Sequence, residues 1–459
     1  MVSSELLKKY NVPGPRYTSY PTVPYWDTTP NEKTWIETID KCLEENQKRD
    51  IGVSIYVHIP FCHSLCSYCG CNTKLTRDRS VIRPYTDALI AELDLYLRKL
   101  GLGKSTKVLK LTELHIGGGT PTFFSPTELD FLISELLSSV ILSESAELSI
   151  EADPRTTTRE HLEVLCRLGF KRLSLGVQDF DPVVQNKVNR IQSEELVQQV
   201  TETAREMGID SISYDLIYGL PLQTEGSINR TISAVKRLRP DRIAFYANAH
   251  VPWLKVHHRR FTESDLPDGE TKRALYETGR SLLEQAGYRE IGMDHFSLEH
   301  DRLWHAYLDG NLHRNFMGYT PKFVAPLIGL GCSAIGDSWR AFIQNEKLLE
   351  SYQSSISVGK LPILRGHLLN KEDQIVRFHI LNLMTKFETD WENPDVFVPF
   401  LSSASERLRS FHEDGLAEVT AVSCRVTEAG RAFLRNICMA FDARMARKAV
   451  SSPTFSKTI

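Results

Sequence analysis

From about residue 50 onward, short β-branched runs alternate with helical patterns, the mark of a parallel sheet built from βα units. Strands are expected at Gly52–His58, Leu111–Ile116, Glu147–Ala152, Arg172–Val177, Ser211–Tyr218 and Arg242–Ala247. Between them the helices are well marked. Ser125 can cap, Pro126 fits a first turn and Glu128 completes a capping box, while Leu129, Leu132, Ile133, Leu136 and Leu137 share one face. Thr157 with Glu160 opens the next helix in the same way, and Ser193 to Met207 ends at Gly208. Six consecutive βα units predict an α/β chain, a partial or complete barrel ahead of an open doubly wound sheet, with no Rossmann fingerprint inside it.

Beyond about residue 300 the alternation weakens. The stretches His313–Thr320 and Leu327–Gly336 read as loops returning to a pocket at the strand ends. The remainder is mainly helical, with a short strand pair near Leu416–Val426 and a basic last helix (Arg431, Arg435, Arg444, Arg447, Lys448) read as a solvated face. Residues 15–22, Pro-Arg-Tyr-Thr-Ser-Tyr-Pro-Thr, lack a period yet are too aromatic for a disordered tail, and packing over the barrel mouth or serving as a lid fits them equally. The division expected is an N-terminal extension over residues 1–49, a barrel over 50–345 and a smaller, mostly helical C-terminal domain over 346–459.

A chain of 459 residues buries a sizeable core, and a net charge of −3 gives no reason to expect nucleic acid or an anionic membrane as partner. The first residues lack the apolar core of a signal peptide and no apolar run reaches a membrane span, so a cytosolic protein is expected. Of nine cysteines, five are scattered singly (Cys42, Cys166, Cys332, Cys424, Cys438) and form no secreted disulfide framework.

The other four fall within ten positions, Cys62, Cys66, Cys69 and Cys71, on the loop after the first strand. Such density selects zinc or an iron–sulfur cluster. A structural zinc site wants paired knuckles with a second pair further on, which the chain does not supply. Three thiolates on one tight loop suit a four-iron cluster with one iron open to a small molecule. Cys71 could be a fourth ligand, but two cysteines one residue apart strain joint binding to one cubane, and it is left outside.

Every strand end carries polar or glycine-rich sequence: Gly117-Gly118-Gly119-Thr120, then Glu151 and Asp153, Gln178 and Asp179, Asp215, and Asn248-Ala249-His250. Taken alone, the triple glycine is equally a plain tight turn. Polar groups at successive strand ends point to a lined pocket.

The three-cysteine loop resembles that of the radical S-adenosylmethionine (SAM) enzymes. Together with Arg16–Thr22, the triple glycine, residues 150–154, 175–180, 215–221 and 435–438, it is similar across nearly the whole chain to the oxygen-independent coproporphyrinogen III oxidases. That resemblance implies a partial (β/α)6 TIM-like barrel, a [4Fe–4S] cluster on Cys62, Cys66 and Cys69, and two SAM molecules. Tyr56, Gly118, Glu151 and Ile335 would contact the first molecule, and Tyr68, Gly119, Thr120, Gln178, Arg190, Asp215 and Ala249 the second. The activity implied is conversion of two propionates of coproporphyrinogen III to vinyl groups, with an electron donor and an acceptor of unidentified kind, by a monomer as the default. The rival is a haem-carrying relative that keeps the cluster loop. A substrate with four carboxylates calls for cationic forks, for which Arg16, Arg314 and Lys322 are candidates.

Overall fold

A computed structural model describes residues 3–47, 51–102, 108–447 and 454–458. Six parallel strands follow one another as β1 (Val53–Ile59), β2 (Lys110–Gly118), β3 (Ile141–Ala152), β4 (Arg172–Gln178), β5 (Ser211–Tyr218) and β6 (Arg242–Ala247). They lie where the sequence pattern puts them. The outward-facing positions, such as Leu173, Leu175 and Val177 on β4 or Ile212, Tyr214 and Leu216 on β5, are apolar and buried under the helices. The inward positions are polar: Tyr56, His115, Glu151, Arg172, Ser174, Ser213, Asp215 and Arg242 all face one cavity. Period-two alternation thus separates a helix-covered core from a polar interior.

The sheet is larger than six strands. β7 (Arg289–Ile291), β8 (His295–Ser297), β9 (Leu327–Leu330), β10 (Ile335–Asp337), β11 (Ala341–Asn345) and β12 (Ile363–Leu368) bring it to 12, in the order β12-β11-β10-β9-β1-β2-β3-β4-β5-β6-β8-β7. This order runs from one edge to another, so the architecture is the partial barrel and not the complete one. The glycine-rich stretch read as a loop supplies β9, which pairs with β1 in parallel, and β10, which turns back on it. Periodicity misses these strands because they are short and interrupted by glycine; a Cβ on Gly329 would sit 2.6 Å from the Ile335 carbonyl. Likewise His313–Asn315 and Gly318–Thr320 form an antiparallel hairpin in place of a loop. The sheet continues through β12, beyond the division expected at residue 345.

Ser125 caps the helix Pro126–Ser138 with the expected capping box, and Ser193 caps Glu194–Glu206. The helix Arg159–Arg167 starts one residue later than read: Thr158 and His161 form its cap, while Thr157 turns its hydroxyl to the Asp153 carbonyl at 2.8 Å.

A second core holds the C-terminal helix Lys371–Lys386 and a three-stranded sheet (Glu388–Asp390, Ala417–Val419, Ser423–Val426). The N-terminal segment feeds it: Tyr17 and Tyr20 are buried there, and Tyr17 donates to Asp442 Oδ2 at 3.0 Å. The basic last helix is divided into the turn Ala429–Phe433 and the helices Leu434–Met439 and Ala443–Arg447, and it is not a solvated face. Arg435 is buried and donates to the carbonyls of Pro15 and Gly14, and Arg444 pairs with Asp373 at 2.8 Å. Lys448 lies outside the described residues. Among the described residues, no helix is long and apolar enough to cross a membrane.

Candidate functional site

A cavity of about 660 Å³ opens at the carboxyl ends of the barrel strands, within the range of small-molecule sites. Cys62, Cys66 and Cys69 line it, as do Tyr56, Tyr68, Gly118, Gly119, Thr120, Glu151, Gln178, Arg190, Asp215 and Ile335. Ala249, just past β6, is not part of the lining.

The cysteine loop is held from several sides. Cys62 Sγ lies 3.3 Å from the Thr120 hydroxyl, Arg190 Nη1 donates to Cys66 Sγ at 3.6 Å, and the Ser67 amide bonds the Val188 carbonyl at 2.9 Å. None of the four thiols is in a disulfide. Burial pushes the Cys62 thiol up to about 11, so a metal taking it up as thiolate displaces a proton. No three His, Cys, Asp or Glu side chains among the described residues converge on one ion position. A spread set of three thiols on a cavity wall is compatible with a cluster of several irons, whose ligands need not share one metal.

The triple glycine is more than a turn. Gly118 has φ +120°, and a Cβ on it would lie 2.7 Å from the His58 ring. A Cβ on Gly119 would lie 2.7 Å from the Pro60 carbonyl oxygen. Bare backbone here lets β2 end against β1, with the Gly119 amide bonded to the Ile59 carbonyl at 2.7 Å.

Glu151 accepts from the Gly118 amide at 3.1 Å and from His115 Nε2 at 3.3 Å. Burial works against its charge, but these donors outweigh it and hold the carboxyl below its ordinary range. Asp215, two strands along, has among the described residues only the Ser174 hydroxyl at 3.2 Å; burial, then the Glu151 charge, push it up to about 7. The cavity thus offers one carboxylate kept anionic and one poised to hold a proton. Opposite them Arg190 is buried with its Nε unpartnered, a donor without an acceptor inside a polar cavity. An anionic ligand group would satisfy it. This orphan donor, the glycine cradle and the three thiols fit a cluster with a zwitterionic amino-acid cofactor.

His58 and His115 escaped sequence reasoning. The Tyr56 hydroxyl donates to His58 Nδ1 at 3.0 Å, and His58 Nε2 donates to the Asn72 carbonyl at 2.9 Å, which fixes one tautomer. Both histidines occupy inward positions at period two with Tyr56 and Gly117, a signal present in the alternation. Of the cationic candidates, Lys322 is spent on the Ser145 carbonyl at 3.0 Å, and Arg16 reaches the Ala247 carbonyl at the end of β6. Arg314 is buried, lies over the Tyr319 ring at 4.6 Å, and has both Nε and Nη1 unpartnered. Tyr319 and the hairpin tip, Phe316 and Met317, line the cavity.

A profile of the Radical SAM superfamily matches residues 56–235. The chain is 39% identical over 448 residues to the oxygen-independent coproporphyrinogen III oxidase of Pseudomonas aeruginosa, covering 96% of this chain and 95% of that one. It is 37% identical over 449 residues to the protein of that name from Escherichia coli, covering 97% and 96%. A solved structure of coproporphyrinogen III oxidase from Escherichia coli, described as a radical SAM enzyme, superposes with a TM-score of 0.87 at 36% identity over 96% of this chain and 99% of that one.

Proposed function

This chain belongs to the oxygen-independent coproporphyrinogen III oxidase family, a radical SAM family, and on that premise we propose that it converts two propionate groups of coproporphyrinogen III to vinyl groups. The product is protoporphyrinogen IX, in porphyrin and haem synthesis. One observation carries the reading: a single cavity gathers the three cysteines and every expected cofactor contact except Ala249.

A [4Fe–4S] cluster and SAM, when bound, supply a 5′-deoxyadenosyl radical that takes a hydrogen atom from the substrate side chain. The chain's own part is to hold, orient and enclose. Cys62, Cys66 and Cys69 would ligate the cluster and Cys71 would not. Two SAM molecules fit the reading, one against Tyr56, Gly118, Glu151 and Ile335, the other against Tyr68, Gly119, Thr120, Gln178, Arg190, Asp215 and Ala249. Glu151, held anionic, suits an ammonium, and the free Nε–H of Arg190 suits a carboxylate. Arg314 is not itself in the cavity lining, but it lies over the ring of the lining residue Tyr319 with two donors left open, and those would take a substrate carboxylate. The N-terminal segment, anchored through Tyr17 and Tyr20, holds Arg16 against the end of β6, where it can help keep water from the cavity.

The reading includes a cytosolic monomer served by an external electron donor and acceptor; a reducing compartment suits free thiolates. The haem-carrying alternative gains no support from the relatives. Anoxically prepared protein given coproporphyrinogen III, SAM and a reductant is expected to release carbon dioxide and 5′-deoxyadenosine and to form the divinyl product. Haem binding with neither product formed would overturn the proposal.

A further inference from the structure

The segment from Val251 to Phe261, after β6, covers the outer side of the cysteine loop. Lys255 Nζ donates to the Cys71 carbonyl at 2.8 Å, and His257 and His258 place Nε2 2.7 and 3.3 Å from the Cys69 carbonyl. From the other side, Asn72 Nδ2 donates to the Lys347 carbonyl at 3.1 Å. Gly70 and Cys71 between them are exposed as part of the cavity lining, and the hydrogen bonds of this segment link the loop that carries the cluster ligands to the outer surface.

That surface has an unusual composition. Leu254, Val256 and Leu348 are 63%, 72% and 66% exposed, and Trp253 stands beside them. Interleaved are Lys255, Arg259, Arg260, Lys347 and Arg365. The Lys347 ammonium is held below its usual range by partial burial and by the charges of Arg365 and Lys255, so these three cations sit together. Of the acids near these cations in sequence, Asp265 is taken up by Lys187 at 3.1 Å and Glu350 by Lys74 at 2.9 Å, while Glu346 adjoins Lys347 and Glu263 follows Arg260. In a chain whose net charge is −3, this is a local positive excess around exposed apolar side chains.

We propose that this face docks the electron donor, a small acidic one-electron carrier protein that delivers its electron through the Cys69–Cys71 end of the loop. The inference rests on the cluster assignment above and names the partner that assignment requires. Electron transfer through protein weakens steeply with distance, so a donor must seat where the ligand loop meets solvent. A few apolar contacts ringed by cations give the weak, fast, charge-steered encounter that a carrier needs in order to leave again. One electron passes from carrier to cluster, the carrier departs one electron more oxidised, and no bond or proton is exchanged.

The test uses the anoxic, cluster-loaded full chain and two probes, a flavodoxin hydroquinone and a reduced [2Fe–2S] ferredoxin, both acidic. Binding is measured by calorimetry at low and high salt for the wild type, for Arg260→Glu with Lys347→Glu, and for Leu254→Ser. The charge reversal is expected to weaken binding of at least one probe by about tenfold and to flatten its salt dependence, and Leu254→Ser to weaken it severalfold. Cluster reduction by dithionite, followed in stopped flow, should be unchanged in all three proteins. Wild-type affinity in the charge-reversed variant, or no binding of either probe to the wild type at low salt, overturns the docking face. A wild-type cluster signal that does not respond to SAM overturns the cluster assignment instead.

Discussion

Arg190 and Asp153 form a buried ion pair of 3.2 Å directly behind Cys66, with Arg155 on the other side of the same carboxylate at 2.6 Å. Burial opposes the charge on Asp153, yet the two guanidiniums pull its carboxyl down to about 2. Asp153→Asn would leave Arg190 buried without its counterion, at a cost of about 3–5 kcal/mol. The measurement is the urea midpoint of the cluster-free protein. The sign follows from the depressed value: this stability is fully present above the ordinary carboxyl pKa of 3.8 and is lost as pH falls through about 2. The variant should therefore lack that acid limb.

Gly118 offers the plainest test of the cradle. At φ +120° an alanine is strained whatever the space, and its Cβ would also meet the His58 ring at 2.7 Å. Gly118→Ala is expected to cost about 1–3 kcal/mol in stability and to weaken SAM binding. Thermal unfolding reads the first effect and an equilibrium titration with SAM the second; wild-type values for both would mean the backbone relaxes freely here.

Much of this site is legible in the sequence because it sits on regular elements. Glu151, Gln178 and Asp215 follow or close strands whose alternation is unmistakable, and the Ser125 cap fixes where β2 hands over to its helix. What escapes has local causes. β9 and β10 are three or four residues long and glycine-rich, so no period develops, and only tertiary pairing, of β9 with β1 and of β10 with β9 and β11, makes them strands. Arg435 looks like one of several surface cations until the chain folds Gly14 and Pro15 against it. A histidine inside a strand carries no signal of its own; the value of His115 comes from register, which sets it beside Tyr56 on β1 and Ser149 on β3.

Asp215 should give the cluster-free protein a pH dependence near neutrality. Burial and the charge of Glu151 raise its carboxyl to about 7, from an ordinary 3.8. Its contribution to stability is full below the ordinary value and declines as pH rises through about 7, because the unfolded chain ionises more readily. Asp215→Asn should flatten the decline between pH 4 and pH 7 in urea melts. A decline of unchanged slope would assign it to another group.

Arg314 is expected to act on substrate, leaving the cluster untouched. Its Nε and Nη1 have no acceptor, and a propionate carboxylate would supply one. Arg314→Met keeps most of the apolar stem over Tyr319 while removing the fork, and should raise KM for coproporphyrinogen by about ten- to a hundredfold. Iron content and SAM affinity should stay at wild-type values. An unchanged KM would return the role to Arg16, whose replacement by alanine is the parallel experiment.

Cys71 decides whether the loop offers three ligands or four. The neighbouring Cys71 thiol is the main influence lowering the Cys69 thiol, and the same proximity raises Cys71. Cys71 therefore helps Cys69 to ionise without itself becoming a thiolate. Cys71→Ser keeps a hydroxyl donor and should load a cluster at the wild-type rate and to the wild-type iron content. Cys71→Ala should reach the same iron content more slowly at neutral pH, with the lag disappearing as pH rises, while Cys69→Ser should fail to hold a stable cluster at any pH. Iron analysis and visible absorbance during anoxic reconstitution follow all three. Folded Cys71→Ser protein without iron would make Cys71 a ligand and leave no iron open for SAM.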